Sequence, residues 1–298
     1  VMIDDPFETL FLSCVDRTGE PYTAAREELR RRGGEIAGPL EERAAATDWA
    51  THTTARILLG WIRDRSLFEQ VTSILRDRDS APRRVGLAPA PTASAAAVAA
   101  LGSKVVPRLI EILTKTHEHR DGISGQVVLL ALDYLRDPLA VMPLRRLALD
   151  TADEQERTLA VAALGGIGDD RAFDLARDVF NDAGRGEVLR GTAALCLGRL
   201  GLPEAGEVLL AAARRAGEGS TVRASAVRAI GYLGDPAHVA GLRQVLEGET
   251  ADGALALEAV GALARLGDAP ALRQAARSHP LSAVRSAAQE AAAGLDPG

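Results

Sequence analysis

The sequence predicts an all-α, right-handed solenoid of about seven two-helix repeats, with a helical cap at its N-terminal end. Three observations carry this. A tripeptide, mostly aliphatic-Gly-Asp or aliphatic-Arg-Asp, recurs at a fixed interval. The segment ahead of each copy bears one apolar stripe at helical spacing. The composition is 47% hydrophobic but only 3% aromatic, so the core must be built from Ala, Leu and Val, as closely packed helices require.

The interval is counted directly. Leu135, Ile167, Leu200, Leu233 and Leu266 open the tripeptides and follow one another at 32, 33, 33 and 33 residues. Ile62 opens an earlier copy 73 residues before Leu135, which leaves room for one degenerate unit with an insertion. That unit reads Ala100-Leu101-Gly102-Ser103, then Val105-Val106-Pro107 and Leu109-Ile110.

Taken in chain order, residues 1–47 come first. Phe7, Phe11 and Tyr22 precede an amphipathic stretch to Arg32, then Gly33-Gly34 and a segment from Ile36 to Ala46. This is the expected cap or a divergent first repeat, and residues 48–298 are the expected array. Within each unit, helix A ends at the tripeptide. Counting back from Leu233 gives Ile230, Ala229, Ala226 and Val222, and the same columns read Leu200, Leu197, Cys196, Ala193 and Leu189 one unit earlier. A stripe at i, i+3, i+4, i+7 and i+11 is one face of a helix. Gly60, Gly165, Gly198 and Gly231 stand just ahead of the repeat end, where they allow either a close approach of two backbones or a left-handed C-terminal residue. The Asp then caps the next helix, with Pro138 and Pro236 in its first turn. Helix B follows, as in Val239, Leu242 and Leu246. One A–B pair is too thin to bury a core, so neighbours must stack. Residues 77–93, with Pro82, Pro89, Pro91, Arg83 and Arg84, read as a long inter-helix loop.

Charge and cysteine content narrow the function classes. The chain has 35 basic and 41 acidic residues, a net charge of −6, which disfavours a nucleic-acid partner needing a basic stripe. No apolar run approaches the roughly 20 residues that span a bilayer, so no membrane partner is expected. Asp4, Asp5 and Glu8 around Phe7 and Phe11 do not build a signal peptide, and a cytoplasmic location is expected. Only Lys104 and Lys115 are lysine, an excess of arginine that codon bias in a GC-rich genome explains. Cys14 and Cys196 make neither a disulfide framework nor a zinc site by themselves, and Cys196 falls in a column otherwise filled by Ala163, Ala229 and Ala262, a small core position.

Val222-Arg223 through Asp235-Pro236 is the best copy of a unit that resembles the short HEAT-like repeat of bacterial scaffold proteins and phycobilisome lyases. The resemblance covers roughly residues 48 to 293 and implies fold far more than activity. Ankyrin repeats share the period, but their Thr-Pro-Leu-His signature is absent, as are the aromatic landmarks of tetratricopeptide repeats.

Four groups of residues are candidates for chemistry. His117-Glu118-His119 is the most metal-like run. Deoxyhypusine hydroxylases, which are HEAT-like, hold iron with His-Glu pairs from several repeats, whereas this chain has one such pair and no i, i+4 spacing. No metal or other cofactor is therefore expected. His52 stands in the column of Arg157, Arg190 and Arg223, which are expected to bond aspartates or helix ends of a neighbouring repeat, and it reads first as a variant of that ladder. Trp49 and Trp61 share its helix, and six of the ten aromatic residues precede residue 69. Core filling at the cap is the plain reading, and a small-molecule pocket of Trp49, His52 and Trp61 the sharper one. Eight residues beyond the repeat ends, helix B carries Arg145, Arg177 and Arg243, with Arg273 matching if the last unit lost three residues, and Leu210 interrupting. If these face the concave side, they form a partial stripe for an acidic peptide or a phosphate; the alternative is a solvated helix face.

The leading expectation is thus a scaffold that holds a protein or peptide on its concave face. The alternatives are an enzyme with a pocket near the aromatic end, and a nucleic-acid binder like the HEAT-like DNA glycosylases. No nucleophile triad or phosphate-cradling loop stands out in the sequence. No feature fixes an oligomeric state.

Overall fold

Wherever the 3.6-residue stripe runs, the computed structural model of the chain is helical; it describes residues 6–16, 20–76, 84–85, 88–89, 93–114, 122–249 and 253–295. The first helices are α1 (Pro6–Asp16), α2 (Glu20–Arg32) and α3 (Ala37–Ala44), with a 3-10 turn at Gly33–Ile36. Seven A–B pairs follow: α4 (Trp49–Arg63) with α5 (Arg65–Leu75), α6 (Ala93–Ala99) with α7 (Val106–Leu113), α8 (Gly125–Leu135) with α9 (Val141–Asp150), α10 (Glu154–Ile167) with α11 (Phe173–Asn181), α12 (Glu187–Leu200) with α13 (Glu204–Arg214), α14 (Ser220–Leu233) with α15 (Val239–Gly248), and α16 (Gly253–Arg265) with α17 (Ala269–Ser278). A further A-type helix, α18 (Ser282–Leu295), comes last.

Two details differ from the sequence expectation. The stretch expected as a plain loop holds two antiparallel two-residue strands, β1 (Arg84–Val85) and β2 (Ala88–Pro89); the rest of 77–92 lies outside the described residues. In three units the tripeptide Asp caps a single 3-10 turn ahead of the α-helix, whereas Asp268 caps its α-helix directly and Asp64 makes no side-chain cap bond. Asp137, Asp169 and Asp235 accept from the backbone N–H of Leu139, Arg171 and Ala237 at 2.9, 3.0 and 2.9 Å, and helix B begins one turn later.

The helices form two compact units, Val1–Leu147 and Ala148–Gly298. In the first unit, Phe7, Phe11 and Cys14 of α1, Ala25 and Leu29 of α2, and Leu40 of α3 share one cluster with Ala55 and Leu58 of α4. The expected cap and the first repeat therefore have a common core. Val127 to Leu132 of α8 are all buried, which encloses that helix on every side.

In the second unit the recurring glycines set the spacing of the A helices. A Cβ on Gly165 would stand 2.8 Å from the Cys196 Cα, one on Gly198 2.3 Å from the Ala229 carbonyl oxygen, and one on Gly231 2.9 Å from the Ala262 Cα. Each glycine lets its helix touch the small-residue column of the next repeat, so the close-approach reading holds. The left-handed C-terminal position belongs to a different set, Gly168, Gly201, Gly234 and Gly267, each with φ between 72° and 75°. In that column α8 has Arg136, the non-glycine residue with φ of 50°.

Candidate functional site

The densest chemistry of the first unit collects around α7. Arg108 and Glu111 lie three apart, hence on one helical face, and both are buried. Arg26 and Arg30, four apart on α2, reach the same carboxylate. Nη1 of Arg26 and Nη2 of Arg30 donate to Glu111 Oε1 at 2.6 and 2.7 Å, while Nη1 of Arg108 donates to Oε2 at 2.6 Å. The Trp61 indole N–H, from the last turn of α4, donates to Oε2 at 2.7 Å. The guanidinium of Arg108 also donates to Thr72 Oγ1 on α5 at 3.2 and 2.8 Å. Arg30 and Arg108 lie 3.9 and 4.8 Å from the Trp61 ring centre, in cation–π contact.

Three guanidiniums thus converge on one carboxylate. Burial pushes the Glu111 pKa up, but the charges of Arg108, Arg30 and Arg26 pull harder, and the group lies below the ordinary carboxylate range. Burial also brings Arg30 down to about 10, against the opposing pull of Glu111. Its Nε is buried and meets no hydrogen-bond partner among the described residues. An acid held ionised this firmly is a poor proton acceptor. Its geometry is that of a pin joining α2, α4 and α7.

The three residues of the expected pocket are separated. Trp49 and His52 sit in the first turn of α4 and Trp61 in its last, and Trp49 and Trp61 are about 18 Å apart along the axis at 1.5 Å per residue. His52 Nδ1 lies 2.5 Å from the Ala44 carbonyl at the end of α3. A carbonyl only accepts, so Nδ1 carries the proton. The arginines of the same column behave alike: Nε of Arg157, Arg190 and Arg223 donates to the carbonyls of Ala148, Phe180 and Ala213 at 2.8, 2.9 and 3.1 Å. Arg190 adds a two-pronged pair with Glu218, and Arg223 one bond to Glu249. His52 occupies the ladder position, tying a helix to the end of the one before it.

The B-helix arginines have individual surroundings. Arg145, on α9, is half-buried. Arg177, on α11, is 42% exposed, lies 3.1 Å from Asp174 and 3.4 Å from Asp178, and covers the Phe173 ring. Arg243, on α15, holds Asp268 with two bonds of 2.6 Å. Asp268 in turn accepts from the Ala271 N–H and caps α17, which carries the exposed Arg273. Beside Arg243 is a small cleft of about 150 Å³, with Leu246, Gln274, Ala275, His279 and Pro280 among its lining. His279 has both ring nitrogens engaged, by the Leu246 carbonyl at 3.3 Å and the Leu281 N–H at 3.2 Å.

The His117-Glu118-His119 run lies outside the described residues. Among those described, no three His, Cys, Asp or Glu side chains group as metal ligands. No described helix is long and apolar enough to cross a membrane. Cys196 is buried, as a small core residue should be, and burial pushes its thiol up to about 12.

Sequence reasoning missed the Glu111 pin. Two of its partners, Arg30 and Arg26, stand 81 and 85 residues away on α2, outside the repeat period, so no column contained them.

A family model described as HEAT repeats matches residues 143–221 and 217–293. No curated protein matches the sequence. Among solved structures, an importin beta is similar over 99% of this chain and 44% of its own, at 15% identity and a TM-score of 0.50. Human deoxyhypusine hydroxylase is similar at 20% identity over 88% of this chain and 96% of its own, with a TM-score of 0.37. The CpcE–CpcF phycocyanin lyase complex of Nostoc sp. is similar at 20% identity over 87% and 94%, with a TM-score of 0.42.

Proposed function

From the membership of this chain in the HEAT-repeat family, whose model matches just over half of its length, we propose that it is a binding scaffold for a protein or peptide partner, docked on the B helices of the second unit through Arg177, Arg243 and Arg273. The observation that carries this reading is the pre-positioning of arginine on those helices. Arg177 is held by two carboxylates and an aromatic ring, and Arg243 by a bidentate carboxylate, yet the two side chains remain 42% and 45% exposed. A guanidinium held at one edge keeps donors on the other for a partner's carboxylate.

Arg243 has two roles, which decides how the reading is tested. Reversing its charge would strip the 4%-exposed Asp268 side chain of its partner and weaken the cap of α17. The informative variant is Arg177→Glu with Arg273→Glu. Affinity capture from host lysate, read by mass spectrometry, should retain a protein on the wild type and lose it on this variant, with the melting temperature unchanged. A photo-crosslinker at position 177 should capture the same protein. Equal retention by both forms removes the B-helix face from the proposal.

A further inference from the structure

The A helices of the second unit carry a feature distinct from the B-helix arginines and independent of them. One residue ahead of each repeat-end aliphatic residue, α12, α14 and α16 present Arg199, Tyr232 and Arg265 in register. Tyr232 is 40% exposed, and the guanidinium carbons of Arg199 and Arg265 stand 5.8 and 4.8 Å from its ring centre. All three lie at the surface.

The setting of these two cations differs from that of the ion-paired arginines of the unit. Elsewhere in the unit Arg190, Arg223, Arg228 and Arg243 face carboxylates. Arg199 and Arg265 make no ion pair and no hydrogen bond among the described residues; the ring is what they rest on. Stacking on an aromatic face leaves every N–H donor of a guanidinium unused. It also restrains the side chain, which lowers the ordering cost of binding. The hydroxyl of the exposed tyrosine adds a further donor.

We propose that Arg199, Tyr232 and Arg265 form a docking site for an acidic peptide segment lying across α12, α14 and α16. Each charge is within 6 Å of one ring centre, so the two are at most about 11 Å apart. Alternate residues of an extended chain project from one side roughly 7 Å apart, so carboxylates two positions apart, with side-chain reach, meet both arginines. A nucleic acid fits less well. It requires many neutralised phosphates, whereas the chain has a net charge of −6 and the neighbouring Arg228 is taken by Glu258. The ring that could stack on a base already carries guanidiniums.

The test uses the full chain and a fluorescein-labelled decapeptide of alternating Glu and Ser, followed by anisotropy at low salt. The peptide should bind, more weakly as salt is raised, and an alternating Gln and Ser peptide should not. R199Q/R265Q should weaken binding about tenfold with an unchanged thermal melt, and each single variant part of the way. Arg277→Gln, which removes another exposed guanidinium of the same unit, should leave binding unchanged. Absence of binding to the wild type, or an equal loss with Arg277→Gln, overturns the proposal. So does tighter binding of a single-stranded oligonucleotide that the double variant abolishes, which would make the surface a nucleic-acid site.

Discussion

Removing the charge of Glu111 leaves the guanidiniums of Arg26, Arg30 and Arg108 facing one another with little water between them. Breaking a buried ion pair from one side typically costs about 3–5 kcal/mol, and Glu111→Gln is expected to destabilise the first unit by that order. Both tryptophans lie on α4, so tryptophan emission during urea unfolding reports on this unit and reads the loss directly. Acid should act in the same direction. The native pKa of Glu111 is below its unfolded value, so its stabilisation is complete above about pH 4.3 and declines as pH falls further. Between pH 5 and 3 the wild type should lose more stability than Glu111→Gln; equal losses would show that the carboxylate contributes nothing through its charge. At the same scale, His52 stands in a column that alignment alone identifies. The carbonyl of Ala44 accepts from its Nδ1–H as the carbonyls of Phe180 and Ala213 accept from the Nε–H of Arg190 and Arg223.

Between helices, the closest contacts are those the glycines permit. Gly198→Ala would place a methyl group 2.3 Å from the Ala229 carbonyl oxygen, a backbone atom that cannot swing aside. Forcing α12 from α14 should cost about 1–3 kcal/mol, read as a lower midpoint of the helical circular-dichroism transition. Gly294→Ala, where a Cβ meets nothing within 4 Å, is the control and should stay within about 0.5 kcal/mol. These contacts were legible in the sequence because a period exposes whatever occupies the same place in each copy. Glycine ahead of the repeat end, alanine or cysteine in the neighbouring column, and Asp after it could all be read by alignment. The period also passes through Trp61, Tyr134, Arg199, Tyr232 and Arg265. Their column is not apolar, so a search for buried stripes does not select it, and only the distances to the Tyr232 ring show that its members touch. Where α1 to α3 lack the period, neither the shared core of Phe11, Leu29 and Leu58 nor the Glu111 pin could be anticipated.

At the scale of the whole molecule, the family assignment rests on repetition, while each compact unit has its own particular chemistry: an ionic pin in Val1–Leu147, and glycine-spaced A helices with stacked arginines in Ala148–Gly298. The glycine spacing has a consequence for how such a chain can change in length. Gly165 faces Cys196, Gly198 faces Ala229 and Gly231 faces Ala262, so successive junctions are interchangeable in kind. Excising residues 190–222 would join Leu189 to Arg223 and present Ala229 to Gly165 in place of Cys196, with the apolar columns still aligned. The shortened chain is expected to remain helical and to melt cooperatively, whereas a cut of 30 residues at the same place should not. Genes of this kind can then gain or lose a copy by slippage at the period without a compensating change elsewhere, and the number of repeats becomes a heritable quantity that varies in whole steps.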